Sequence, residues 1–171
     1  EALGTKQVPV VAIFPAGTPT TCLVDANASI KTIYFRNPGM TLTVASGVNL
    51  AFDNLGALTM LAEQNATIDG DGTLTFSVNT GENFADNQAA AGKTLTILAK
   101  ITGANGFEHN GGGGTIVLAN TGNDQAGATL ITAAGVLAVP AVANSGVACP
   151  LGSGSAFRFT TSGTAFRYTG T

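Results

Sequence analysis

Hydrophobic and polar residues alternate along short stretches of this chain. In "TLTFSV" from Thr73 and "TLTILA" from Thr94, an aliphatic or aromatic residue takes every second position, with Thr or Ser between. A period of two is the signature of a strand with one buried face. Similar runs occur at Val8 to Phe14, Ile30 to Arg36, Thr41 to Ala45, Thr115 to Ala119, Thr129 to Thr132 and Val136 to Val139. "NPG" at 37–39, "DGDG" at 69–72 and "NGGGG" at 110–114 punctuate them as turns. No long stretch repeats apolar residues at i, i+3, i+4 and i+7, so no helix is predicted.

The strands recur. A Thr or small residue followed by Leu42, Leu58, Leu74, Leu95, Ile116 or Leu130 opens many of them, at separations of 16, 16, 21, 21 and 14 residues. Such a spacing suits one coil of a solenoid, in which short strands pair in parallel with the coils above and below. Leu, Ile and Val then fill the inside, and Thr, Ser and Asn face water. The rival reading is an antiparallel β-sandwich, for which the Asp-Gly pairs at 69–70 and 71–72 would be hairpin turns. The length of 171 residues fits one domain. Its expected parts are flanking strands over 1–30, stacked coils over 31–139, and a linker with assembly strands over 140–171.

Composition narrows the class. Only 10% of residues are charged and 44% are hydrophobic, which argues for a folded chain rather than a disordered one. A net charge of −3 with seven scattered Lys and Arg supplies no basic patch for nucleic acid. The most apolar window, 133–149, is broken by Gly135, Pro140, Asn144, Ser145 and Gly146, so no membrane-spanning helix is expected. Few Lys and abundant Thr, Asn and Gly fit an exported protein. The start at Glu1 reads as a processed chain or a fragment. Cys22 and Cys149 permit one disulfide in that setting.

"GGGGTIVLANTGNDQAGATLITAAGVLAV", from Gly111, resembles the autotransporter-associated β-strand repeat of bacterial surface proteins. Gly114-Thr115-Ile116, Asn120-Thr121, Gly127-Ala128-Thr129 and Ala134-Gly135-Val136-Leu137 follow that pattern in order. "GKTLTILAKITGANGFEHNGGGG" resembles the approach to it, "ASIKTIYFRNPGMTLTVASGVNLAF" the early coils, and "SGTAFRYTGT" the start of a further cassette. The resemblance is specific over 111–139 and diffuse elsewhere. It implies a right-handed parallel β-helix (β-solenoid), displayed outside a bacterial cell. The Tyr-Thr-Gly-Gly turn of the family is replaced here by Gly122-Asn123-Asp124-Gln125, and no membrane barrel follows in this sequence.

Chemistry is sparse. Asp69 and Asp71, with Asp53 nearby in a stacked arrangement, are weak candidates for calcium or for the paired carboxylates of a polysaccharide-cleaving enzyme. Asp-Gly turns explain them more simply. His109, between Glu108 and Asn110 at the edge of a glycine run, reads as a loop residue. No Gly-x-Ser-x-Gly elbow accompanies it, and no Lys-Ser/Thr follows "NGGGG" as a P-loop requires. No catalytic residue and no cofactor are expected. Tyr34, Phe35, Phe157, Phe159, Phe166 and Tyr168 could form a sugar platform, but aromatic packing accounts for them better.

The chain closes on two near-copies of one phrase, "SGSAFRFTT" and "SGTAFRYTG". In each, alternation sets the two aromatics on one face and Arg158 or Arg167 on the other. Strand edges recruit strands. Phe157, Arg158, Phe159, Phe166, Arg167 and Tyr168 are therefore expected at an assembly interface, with copies of the same chain as partners. The functional expectation is an extracellular structural subunit of a surface fibre or layer. An adhesin binding a glycan or cell-surface ligand is the second reading, and a polysaccharide-active enzyme the third. A Cys22–Cys149 bond would join subunits head to tail, or would need a terminal segment to fold back along the stack.

Overall fold

The computed structural model describes residues 11–17, 19–53, 58–77, 84–154 and 156–170. The described residues form strands, turns and irregular segments, with no helix. The first round of chain is β1 (Val11–Phe14), β2 (Thr21–Val24) and β3 (Ala28–Ile30). The next is β4 (Thr32–Phe35), β5 (Met40–Val44) and β6 (Asn49–Phe52). Then come β7 (Leu58–Ala62), β8 (Ala66–Asp69) and β9 (Thr73–Phe76), and β10 (Phe84–Ala89), β11 (Thr94–Ile97) and β12 (Lys100–Gly103). From there each round has two strands: β13 (Gly106–His109) and β14 (Thr115–Leu118), β15 (Thr129–Ile131) and β16 (Gly135–Val139), β17 (Phe157–Phe159) and β18 (Thr164–Tyr168).

Each strand pairs with its counterpart one round away. The first sheet runs β1-β4-β7-β10-β13-β15-β17, the second β2-β5-β8-β11-β14-β16-β18, and the third β3-β6-β9-β12. All these pairings are parallel. The fold is a parallel β-helix, a β-solenoid of about six turns. The antiparallel sandwich does not form. Among the described residues, one antiparallel contact exists, an isolated bridge between Ala90 and Gly113.

Alternation decides which side chains enter the lumen. Met40, Ala66, Leu95, Ile116, Leu137 and Phe166 stack in one inward column of the second sheet. Leu50, Leu74 and Ile101 stack in the third sheet, beside Phe52 and Phe76. The Phe52 and Phe76 rings lie 5.7 Å apart. Gly103 takes the next place in the Phe column, and Phe107 of the first sheet fills the space, 6.3 Å from Phe76. Outside, Thr21, Thr41, Thr67 and Thr96 form a polar ladder on the second sheet.

Two details of the spacing differ from expectation. Leu58 and Leu130 open strands but face outward, flanked by buried Thr59 and Thr129. The 16-residue intervals thus step from one sheet to the next rather than once around the coil. The stack also begins with β1, not at residue 31, and continues through β17 and β18, which were expected as separate assembly strands.

Candidate functional site: the two ends of the stack

At one end, β1, β2 and β3 are the outermost strands of the three sheets. Alternation in "VAIF" and "TCLV" turns Ala12, Phe14, Cys22 and Val24 toward the lumen. They line a hollow of about 170 Å³ together with Ala28, Ile30, Ile33, Leu42 and Leu50. The lining is wholly apolar. Phe14 stacks on Phe35 at 5.8 Å, which carries the core into this end. On the outer face Val11, Ile13 and Leu23 are exposed. Sequence reasoning did not single out this hollow, although the period-two pattern of both strands points to it.

At the other end, β17 lies on β15 and β18 on β16, with Phe159 over Ile131, Phe166 over Leu137 and Tyr168 over Val139. The aromatics thus follow inward columns, and Arg158 and Arg167 follow outward ones, over Leu130 and Ala138. The Phe157 ring sits 5.0 Å from Phe159 and 4.9 Å from Phe166. This trio closes over the lumen, yet Phe159 stays 51% exposed and Tyr168 55%. All six interface candidates lie on β17 and β18 at this end; Phe157 and Phe166 are half-buried and packed against the core.

The other candidates are dispersed. Phe35 is fully buried. Tyr34 faces out, under the Arg36 guanidinium at 5.3 Å, and Arg36 pairs with Glu63 at 2.9 Å. Asp69 ends β8 and pairs in register with Thr43, whereas Asp53 follows β6 on the third sheet and accepts a hydrogen bond from Ser29. Asp53 and Asp69 therefore occupy different corners, and Asp71 is an exposed turn residue. Among the described residues no group of His, Cys, Asp and Glu is arranged to hold a metal ion. No helix among them is long and apolar enough to cross a membrane.

Cys22 and Cys149 are free thiols, not an intrachain disulfide. Cys22 belongs to the first round, while Cys149 follows β16 and is buried. The rounds between them prevent the approach that a disulfide needs.

His109 is not a loop residue but fully buried. The pattern of "GFEH" turns Phe107 and His109 inward and leaves Glu108 on the outer face. The imidazole Nε2 lies 3.3 Å from the Gly114 carbonyl. A Cβ at Gly135 would come within 2.5 Å of that nitrogen, so glycine makes room for the ring. Burial pushes the imidazole pKa down, opposed by contacts to the backbone of Gly114 and Asn87. Asp124 follows a different balance. Burial raises its pKa, but hydrogen bonds from Lys100 and Thr102 and the Lys100 charge outweigh that and lower it.

No protein-family model, no curated protein and no solved structure matches this chain.

Proposed function

We propose that this chain is a structural subunit of an extracellular fibre or layer, extended end to end by addition of parallel strands. One observation carries the reading: the two ends complement each other. One presents an apolar hollow rimmed by small inward side chains, Ala12 and Cys22. The other presents aromatics in the same columns, Phe159 and Tyr168. Successive inward residues of the first sheet run from Ala12 through Ile33, Met60, Asn87, His109 and Ile131 to Phe159. A second copy in head-to-tail register would set Phe159 over Ala12. Such a contact does not close on itself, so it propagates as a filament. The strand edges at both ends suit β-augmentation. A place on a bacterial surface rests on the resemblance over 111–139 alone.

Sedimentation velocity across a concentration series, with negative-stain electron microscopy, tests the proposal. The parent should form filaments that lengthen with concentration, and deletion of 162–171 should leave a folded monomer. A parent that stays monomeric at every concentration overturns self-assembly. Glycan-array binding by that monomer would support the adhesin reading instead.

A further inference from the structure

The outer face of the second sheet repeats one small side chain. Thr21, Thr41, Thr67 and Thr96 stack in register on successive rounds, and Val117, of the same shape, continues the column. Thr43 stands beside Thr41 on β5, and Thr94, paired with Thr115 one round on, stands beside Thr96 on β11. These pairings run without a register shift, whereas the first sheet shifts between Asp86 and Asn87. Neighbouring rounds lie about 4.8 Å apart, and alternate residues of one strand about 6.6 Å apart. The array is therefore a two-dimensional lattice of hydroxyls and methyls.

These hydroxyls are left to the solvent. Elsewhere threonine hydroxyls bond the protein: Thr73 and Thr75 both donate to Asn49 Oδ1, at 2.9 and 2.6 Å, and Thr129 donates to the Leu151 carbonyl at 2.8 Å. Among the described residues no hydroxyl of the array has such a partner. Each rides on a β-branched stem with few rotamers, so hydroxyl and methyl recur in a fixed orientation. The one charged residue of β2, β5, β8, β11 and β14 is Asp69, and its Oδ1 is buried. The hollows at the first round, beside Cys149 and beside Asn49 are lined by other residues.

We propose that this face binds ice. A nucleic acid or a mineral would call for charge here, a stacked sugar for exposed rings, and a small molecule for a concavity. A face that is uncharged, ring-free and periodic suits a partner that is itself an uncharged, periodic surface. A crystal plane of water is one: its oxygens repeat close to the spacing of the rounds along one axis and of alternate residues along another. Water over the methyls cannot bond them and is restricted in orientation. The hydroxyls between them donate and accept, and so anchor that layer. The layer then joins the crystal and pins its surface where the chain sits. The face stays open along a head-to-tail stack, so the inference holds whether or not the chain assembles end to end.

Growth of single ice crystals in solutions of the chain tests this. The parent should hold faceted crystals without growth over an interval below their melting point, and should keep recrystallising ice fine-grained. Thr67→Lys combined with Thr96→Lys should lose both effects. Gln88→Lys, on the outer face of the first sheet, should keep them. Circular dichroism establishes that each variant folds; Thr41→Lys should give the same loss and stands in if the double variant does not fold. Round crystals that grow at the equilibrium freezing point in the parent overturn the proposal. So does an effect that persists in the folded double variant, and so does capture on crystalline cellulose with no effect on ice.

Discussion

Asn87 stacks directly against His109, in register on adjacent strands of the first sheet. Met60 lies on one side of this pair and Ile131 on the other, so a polar step interrupts an otherwise apolar column. Asn87 donates from Nδ2 to the Ala85 carbonyl at 2.7 Å. Asp86 and Glu108, on the same two strands, sit on the outer face. Among the described residues no Asp, Glu, Lys or Arg side chain is buried with the imidazole.

The buried imidazole makes stability depend on pH. Its folded pKa lies below the ordinary value of 6.5. Between the two values the unfolded chain holds the proton and the folded chain does not. The contribution is therefore full above about pH 6.5 and is lost as pH falls toward the folded value, by at most about 1.4 kcal/mol per pH unit. His109 is the only histidine, so His109→Gln should flatten that slope. Denaturant midpoints between about pH 8 and about pH 5 check this.

Charges placed in the columns should unfold the chain. Leu74, Leu95 and Ile116 are fully buried. Leu74→Asp, Leu95→Asp or Ile116→Asp would each leave an unpaired carboxylate in the lumen, a loss of several kcal/mol. Phe76→Ala should cost about 3–5 kcal/mol, because Phe52 and Phe107 would then border a cavity. Circular dichroism melts separate the outcomes; Asp variants that melt like the parent would refute the inward assignment.

Calcium should be irrelevant to folding. Asp69→Asn with Asp71→Asn should shift stability by about 0.5 kcal/mol or less. Melting of the parent should be the same with calcium or with a chelator. A calcium-dependent rise in Tm that the double variant loses would establish a metal site at the 69–72 turn.

The Lys100–Asp124 pair, 2.6 Å apart with both side chains 39% exposed, should contribute little. Lys100→Met is expected to cost less than about 1 kcal/mol, and less still at high salt. The lowered Asp124 carboxyl adds stability above its ordinary pKa that is lost as pH falls through the folded value. That lies in a more acid range than the His109 effect. Acid titrations of parent and variant resolve the two.

The parallel stack could be read from the sequence because strands that bury one face write their burial every second residue. Leu74, Leu95 and Ile116 are inward for that reason. The period was harder to read. Residues bonded one round apart are separated by 18 positions for Asn37 and Pro19 but by 29 for Thr161 and Thr132. Corners absorb the difference, so register is set by packing rather than by a fixed repeat. His109 was misread because the neighbouring glycines suggested a loop, while the alternation that turns Phe107 inward also governs His109. Its burial needs the space at Gly135, which no local pattern reveals.

The third sheet stops at β12 while the other two continue to β17 and β18. The interstrand hydrogen bonds run along the solenoid axis, so each sheet acts as a rail under tension. Beyond β12 the third side keeps inter-round backbone bonds, from the N–H of Asp124 to Ile101, Ala126 to Gly103, Cys149 to Asn123 and Ser153 to Gln125, but no strand, and an exposed segment from Val142 to Ala148 leaves it there. Torque or pull applied to the molecule should concentrate its yielding in the upper rounds. Amide exchange should accordingly open 119–154 before it reaches Leu50 or Leu74. The thinned rail turns a uniform rod into one with a stiff segment and a more compliant one, so that strain on one part need not break the other.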